Sequence, residues 1–244
     1  MGIFTASSQH ENWLLWMMAD SALPTGGFVA SSGLEASVQA GYVHSEETLL
    51  KFISSSVHNY AFSTLPFVTK GYQISESAEL SDEEKYEQLI QLDDFYEAST
   101  PNTITKRASK AQGTAMLMLL YKSFGELSKS VLATRLKQQV RLGRIGGHLP
   151  VCFGMACQHL NISLSNTQEL FLFLFVRAII SAAVRLNLVG PYFAQTLLSQ
   201  CQSFTEEAWK LCCEIQPEDA AQSSPLLDII QGTHDHLYSR IFNS

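Results

Sequence analysis

His148, Cys152 and His159 stand at steps of four and seven, which puts them near one face of a helix, while Cys157 is turned away. Imidazole and thiolate are borderline-soft ligands that suit nickel or zinc, but three of them need a fourth donor from elsewhere. Buried cysteines and hydrogen-bonded histidines are far commoner than ligands. His234-x-His236 is a second candidate pair. Its members diverge by about 200° on a helix, so only an extended tail brings them to one side for transient nickel contact. Catalytic spacing is missing elsewhere. Gly143-x-x-Gly146-Gly147 lacks the Lys-Ser/Thr of a phosphate loop and follows no predicted strand, and no Gly-x-Ser-x-Gly elbow displays a nucleophile. The reading is a chain that is no enzyme and has no cofactor beyond transient nickel, with His148, Cys152, His234 and His236 as candidate ligands.

The elements that must carry these residues are helical. Apolar residues recur at helical spacing along nearly the whole chain, and no alternating run of strand length is present, so an all-α, single-domain, multi-helix bundle is expected. Ser45-Glu46-Glu47 starts a helix with Leu49, Leu50, Phe52, Ile53, Val57 and Tyr60 on one face, Pro66 interrupts or restarts it, and Ser81-x-x-Glu84 has capping-box spacing. The stretch 94–103, which holds Pro101 amid Ser99, Thr100, Asn102 and Thr103, reads as irregular. Small residues Ala108, Ala111 and Gly113 let the helix through Ile104 approach a neighbour closely. Another helix is expected from Ser128. Ser165 is expected to cap a long apolar helix ending near Leu188, with Gly190-Pro191 stopping it and starting the next. Arg177 and Arg185 share a face of that apolar helix and need partners, by default salt bridges. Residues 1–12 read as a flexible N-terminus, 216–225 as a linker and 226–244 as a terminal helix and tail.

Near the N-terminus, Trp13, Leu14, Trp16 and Met17 lead into Asp20, where breakers gather. Leu23-Pro24-Thr25-Gly26 suits a type I turn with Gly27 free to take a positive φ, and Ser32-x-x-Glu35 has the spacing of a capping box. An apolar helix followed by Asp20, Ser21, Pro24, Gly26, Phe28, Gly33, Leu34 and Glu35 resembles the N-terminal signature of the urease accessory protein F family, in its eukaryotic type. Arg185-Leu186, Gly190 and Gln195 resemble a second block, and His234, Tyr238, Arg240-Ile241-Phe242 and Ser244 a terminal one. Ala30 stands where bacterial members usually carry a histidine, and Asn243 replaces an arginine before the final serine.

The resemblance implies an all-helical urease maturation factor without chemistry of its own. It implies a homodimer that binds the D/H accessory protein and recruits the GTPase accessory protein G to the urease apoprotein for nickel insertion. Asp20, Ser21, Pro24, Gly26, Phe28, Gly33, Glu35, Arg185, Gln195, Tyr238, Arg240 and Phe242 would face those partners. A direct nickel-binding chaperone, or a regulator of the partner GTPase, is the alternative.

Composition bounds the rest. A 46% hydrophobic chain of 244 residues is globular, and a net charge of −7 with a pI near 5.5 argues against nucleic acid. Acidic residues crowd 76–97. Basic ones crowd 106–144, opposed only by Glu126, a segment that could meet an acidic protein surface. The most apolar run, Leu170 to Val189, is broken by two arginines and reads as a core helix, not a membrane span. No secretory signal is visible and the five cysteines follow no disulfide framework, so a cytoplasmic protein is expected.

Overall fold

The computed structural model describes residues 6–124 and 130–244, with side chains from residue 10 onward. Eleven α-helices are described: α1 (Ala6–Ala19), α2 (Leu34–Gln39), α3 (Glu46–Ser63), α4 (Leu65–Glu76), α5 (Asp82–Ser99), α6 (Thr103–Lys122), α7 (Val131–Arg141), α8 (Leu149–His159), α9 (Leu164–Arg185), α10 (Pro191–Cys212) and α11 (Pro225–Gly232). No strand occurs among the described residues. Glu126 and the expected helix start at Ser128 lie outside them, as do residues 1–5 of the expected N-terminal tail.

Local chemistry explains most of the boundaries. Ser45 and Thr48 cap α3 reciprocally, and Ser81 and Glu84 do the same for α5. Pro66 sits in the first turn of α4, where its missing N–H costs nothing. Three boundaries differ from expectation. α5 continues through Ser99, and the break is confined to Thr100–Asn102, because Asn102 accepts the Ile104 and Thr105 N–H groups and restarts the helix at once. α9 is capped at Ser163, not Ser165; the Ser163 N–H donates to Glu11 of α1 at 2.8 Å. α9 ends at Arg185 because Asn187 takes a left-handed φ of 57°, which lets Leu188 N–H bond back to Ala183.

The centre of the bundle is a seam between α4 and α8. A Cβ on Gly154 would lie 2.1 Å from the Val68 carbonyl oxygen, and one on Gly71 would lie 2.9 Å from that of Val151. Helices this close exclude water and bury Phe67, Phe153, Met155 and Cys157, each full apolar side chain being worth about 2 kcal/mol or more. The small-residue face of α6 approaches its neighbour as expected: a Cβ on Gly113 would strike the Gly147 carbonyl at 2.0 Å. α9 alone is long and apolar enough, among the described helices, to cross a membrane. Leu170, Phe171, Leu172, Val176 and Ile179 on it are buried against the other helices.

The two charge runs meet each other. Arg135 forks onto Glu83 at 2.7 and 2.9 Å, and Lys110 reaches Glu97 at 2.9 Å, so α5 already answers part of the basic segment.

Candidate functional site: a loop and tail clasp

α1 stops at Ala19, and Asp20 turns the chain by accepting the Ala22 N–H at 2.9 Å. Thr25 N–H then bonds to the Leu23 carbonyl at 2.8 Å, a tight turn around Pro24. Gly26 takes the positive φ, 76°, whereas Gly27 begins a 3-10 turn, Gly27–Val29. The expected Ser32–Glu35 capping box is not formed. Ser32 is itself left-handed at φ 52°, and Gly33 stands at the N-cap of α2 without a side-chain bond.

Glu35 has another task. Its carboxylate, 1% exposed, accepts the N–H groups of Ile241 at 2.6 Å and Phe242 at 3.1 Å. A carboxylate this deep must be bonded, and two tail amides supply more than one local amide would.

The tail returns the engagement. Asn243 N–H donates to the Val29 carbonyl at 2.9 Å, and Ser31 donates both its N–H and its hydroxyl to the Ser244 oxygen, at 2.5 and 3.1 Å. Phe242 is buried, and the Arg185 guanidinium lies 4.2 Å from its ring centre while donating to the Phe28 carbonyl. Arg107 of α6 forks onto Asp235 at 2.9 Å through both nitrogens and also reaches the Asn243 carbonyl at 2.9 Å. Arg240 adds 2.8 Å to the same carboxylate. Hydrogen bonds from Arg107, over a small opposing effect of burial, hold Asp235 down at about 2.

Phe28, Gly33, Glu35, Arg185, Arg240 and Phe242 therefore gather in one place. Asp20, Ser21, Pro24 and Gly26 form its exposed approach. Gln195 points to solvent from α10, and Tyr238 is fully exposed; neither is hydrogen-bonded to the clasp among the described residues. Phe28, Val29 and Ile241 present apolar surface around the junction. Sequence reasoning missed Arg107, Asp235 and Ser31, whose partners lie more than a hundred residues away, except for Arg240 five residues on. The default salt bridges of Arg177 and Arg185 are replaced by backbone carbonyls. Arg177 donates to Ala19, and no ion pair includes either residue among the described ones.

The candidate metal ligands go elsewhere. His148 is fully buried at the N-cap of α8. Its Nε2 is 2.6 Å from Glu97 and its Nδ1 3.2 Å from the Ser109 hydroxyl, which in turn accepts the Leu149 N–H. Asp93 beneath it accepts the Gly147 and His148 N–H groups at 2.8 and 2.6 Å. Burial lowers the pKa of His148 against the pull of Asp93 and Glu97, so the neutral imidazole donates from Nε2 and accepts at Nδ1. Burial also raises Asp93. At Glu97 burial is outweighed by hydrogen bonds from Lys110 and His148, which hold it at about 2. Cys152 is buried with its thiol pushed well up, and His159 faces the Met155 carbonyl at 2.9 Å. His234 is buried, its Nε2 3.2 Å from the Phe242 carbonyl, whereas His236 is exposed. Among the described residues no three His, Cys, Asp or Glu side chains are grouped to hold a metal ion.

Comparison with known proteins covers most of the chain. A family model described as UreF matches residues 43–202. Urease accessory protein F of Oryza sativa subsp. indica is 34% identical over 96% of this chain and 86% of its own length. That of Arabidopsis thaliana is 33% identical over 99% and 96%. A UreF-like urease accessory protein of Schizosaccharomyces pombe, itself uncharacterised, is 33% identical over 97% and 99%.

Proposed function

Since the chain belongs to the UreF family and is a urease accessory protein, we propose that it serves urease maturation as a non-catalytic scaffold in the cytoplasm. As a homodimer it binds the D/H accessory protein and, in that assembly, recruits the GTPase accessory protein G to the urease apoprotein. Nickel is the cargo of the assembly and not a resident cofactor of this chain.

The clasp is the observation that carries the reading. A binding protein needs a shaped surface of mixed apolar and charged character. Phe28, Val29 and Ile241 lie exposed beside Arg107, Asp235 and Arg240, and the elements that present them are locked to each other through Glu35. Glu35 and Asp235 in the clasp are already engaged by amides and arginines, which favours binding over acid–base chemistry there.

Arg240→Ala tests the tail half of this. Arg240 is a surface residue, so the fold should survive. Co-purification with the D/H and G proteins, and urease activation, should fall about tenfold, the scale of a mid-range interface arginine. Undiminished co-purification and activation would remove the tail from the docking surface. Equilibrium dialysis against nickel addresses the alternative: stoichiometric tight binding by the isolated chain, lost in His148→Ala or His234→Ala, would make this a metal carrier.

A further inference from the structure

A cavity of about 180 Å³ lies between α3, α6 and α9, roofed by the Thr25–Ser32 loop. Its walls are divided. On one side Tyr60 stacks on Phe175 with ring centroids 3.9 Å apart, and Phe171 stacks on the same tyrosine at 5.0 Å. On the other, Thr105, Ser109 and Gln112 occupy one face of α6 at helical spacing.

Polar atoms buried in a bundle ordinarily find protein partners. Thr105 Oγ1 and Arg177 Nε are buried without one, and both residues line this cavity. Arg177 is its lining cation, and no carboxylate stands within salt-bridge distance of it among the described residues. Asp228, the acid on the wall, is turned to the Asn102 amide at 3.0 Å. Gln112 and Arg177 both reach the roof: a Cβ on Gly27 would lie 3.8 Å from the Gln112 Oε1, and the Arg177 guanidinium lies 5.7 Å from the adjacent Phe28 ring. Water can satisfy a hydroxyl, whereas the Arg177 guanidinium, which donates to the Ala19 carbonyl and feels Asp20 only from beyond salt-bridge distance, keeps its Nε unpartnered.

We propose that this cavity binds a small organic carboxylate, its anionic group paired with Arg177 and hydrogen-bonded by Gln112, its apolar body lying along Tyr60 and Phe175. A planar carboxylate matches the guanidinium fork, and the stacked rings suit a flat apolar body. The proposal stands apart from the scaffold reading, because it concerns the interior behind the loop and not the docking face.

Calorimetric titration of the full chain with benzoate, set beside its neutral isostere benzamide, tests it. Benzoate should bind saturably and benzamide about tenfold more weakly or worse, the worth of one charge-assisted pair. Arg177→Gln should abolish the preference. Because that arginine also holds Ala19, Gln112→Leu provides a second test on the cavity wall and should weaken benzoate about fivefold without unfolding the protein. No saturable benzoate binding up to about 10 mM, equal binding of benzamide, or unchanged affinity in Gln112→Leu would each overturn the proposal.

Discussion

Asp93 and Glu35 are both buried carboxylates that accept two successive backbone N–H groups, yet one lies inside the bundle and the other at its edge. Asp93 receives Gly147 and His148 and fixes where α8 begins. From there Gly154 is carried onto α4 within backbone contact. Glu35 receives Ile241 and Phe242 and fixes only a tail. The chemistry is the same and the consequence is not. The two amides that Asp93 holds belong to Gly147 and His148, which are themselves buried where α8 begins, so they cannot leave without disrupting the seam. Around Glu35 the neighbours Arg107, Asp235 and Arg240 are half exposed, so the tail can part from the loop while the bundle stays folded.

The largest test of this contrast is Gly154→Ala. Its Cβ would overlap the Val68 carbonyl, and with rigid backbone on both sides the change should cost about 3 kcal/mol, seen as a lowered midpoint in chemical denaturation. A midpoint equal to wild type would show that the seam can relax. Glu35→Ala should leave two tail amides without an acceptor, a loss of about 2 kcal/mol confined to the clasp. Hydrogen exchange at Ile241 and Phe242 should then quicken while the amides of α8 keep their protection. Simultaneous loss of protection in both places would mean that the two regions are one cooperative unit.

Acid should separate them next. The folded protein holds His148 below its ordinary 6.5, so the unfolded chain takes up the proton first, and stability falls as pH drops below that value. Asp93, pushed up by burial, gives the opposite slope, so the diagnostic is the difference between wild type and His148→Asn. From about pH 7 to 5 the variant should lose less stability than wild type. Asp235 responds lower: its depressed carboxyl contributes stability above its ordinary 3.8 and loses it as pH falls towards about 2. The smallest effect on stability belongs to Arg107→Ala. Half exposed, its fork onto Asp235 should contribute little to global stability. Tail protection should fall alone, and an equal loss across the bundle would contradict a separable clasp.

Much of the bundle was legible in sequence because its causes are local. Ser45 and Ser81 cap helices through residues three positions on, Pro66 and Pro191 mark first turns, and the apolar spacing of α3 names most of its buried face. Local reasoning failed where a distant partner outbid a near one. The Ser32–Glu35 spacing suggested a capping box, but Glu35 faces the tail. Asn187, not Gly190, turned left-handed to end α9. For His148 and Cys152 the commoner outcome is what the fold shows: Glu97 and Ser109 bond the two nitrogens of the imidazole, and the core buries the thiol.

Periodicity, caps and breakers by themselves determined an all-helical chain, the order of its helices and, through three short blocks, the resemblance to its family. Tertiary structure alone decided that the first and last of those blocks form one object. Arg107 lies 128 residues from Asp235, and Glu35 lies 206 from Ile241. No helical period spans such separations; only a packed core, which sets where the chain's ends emerge, brings those charges within hydrogen-bonding reach.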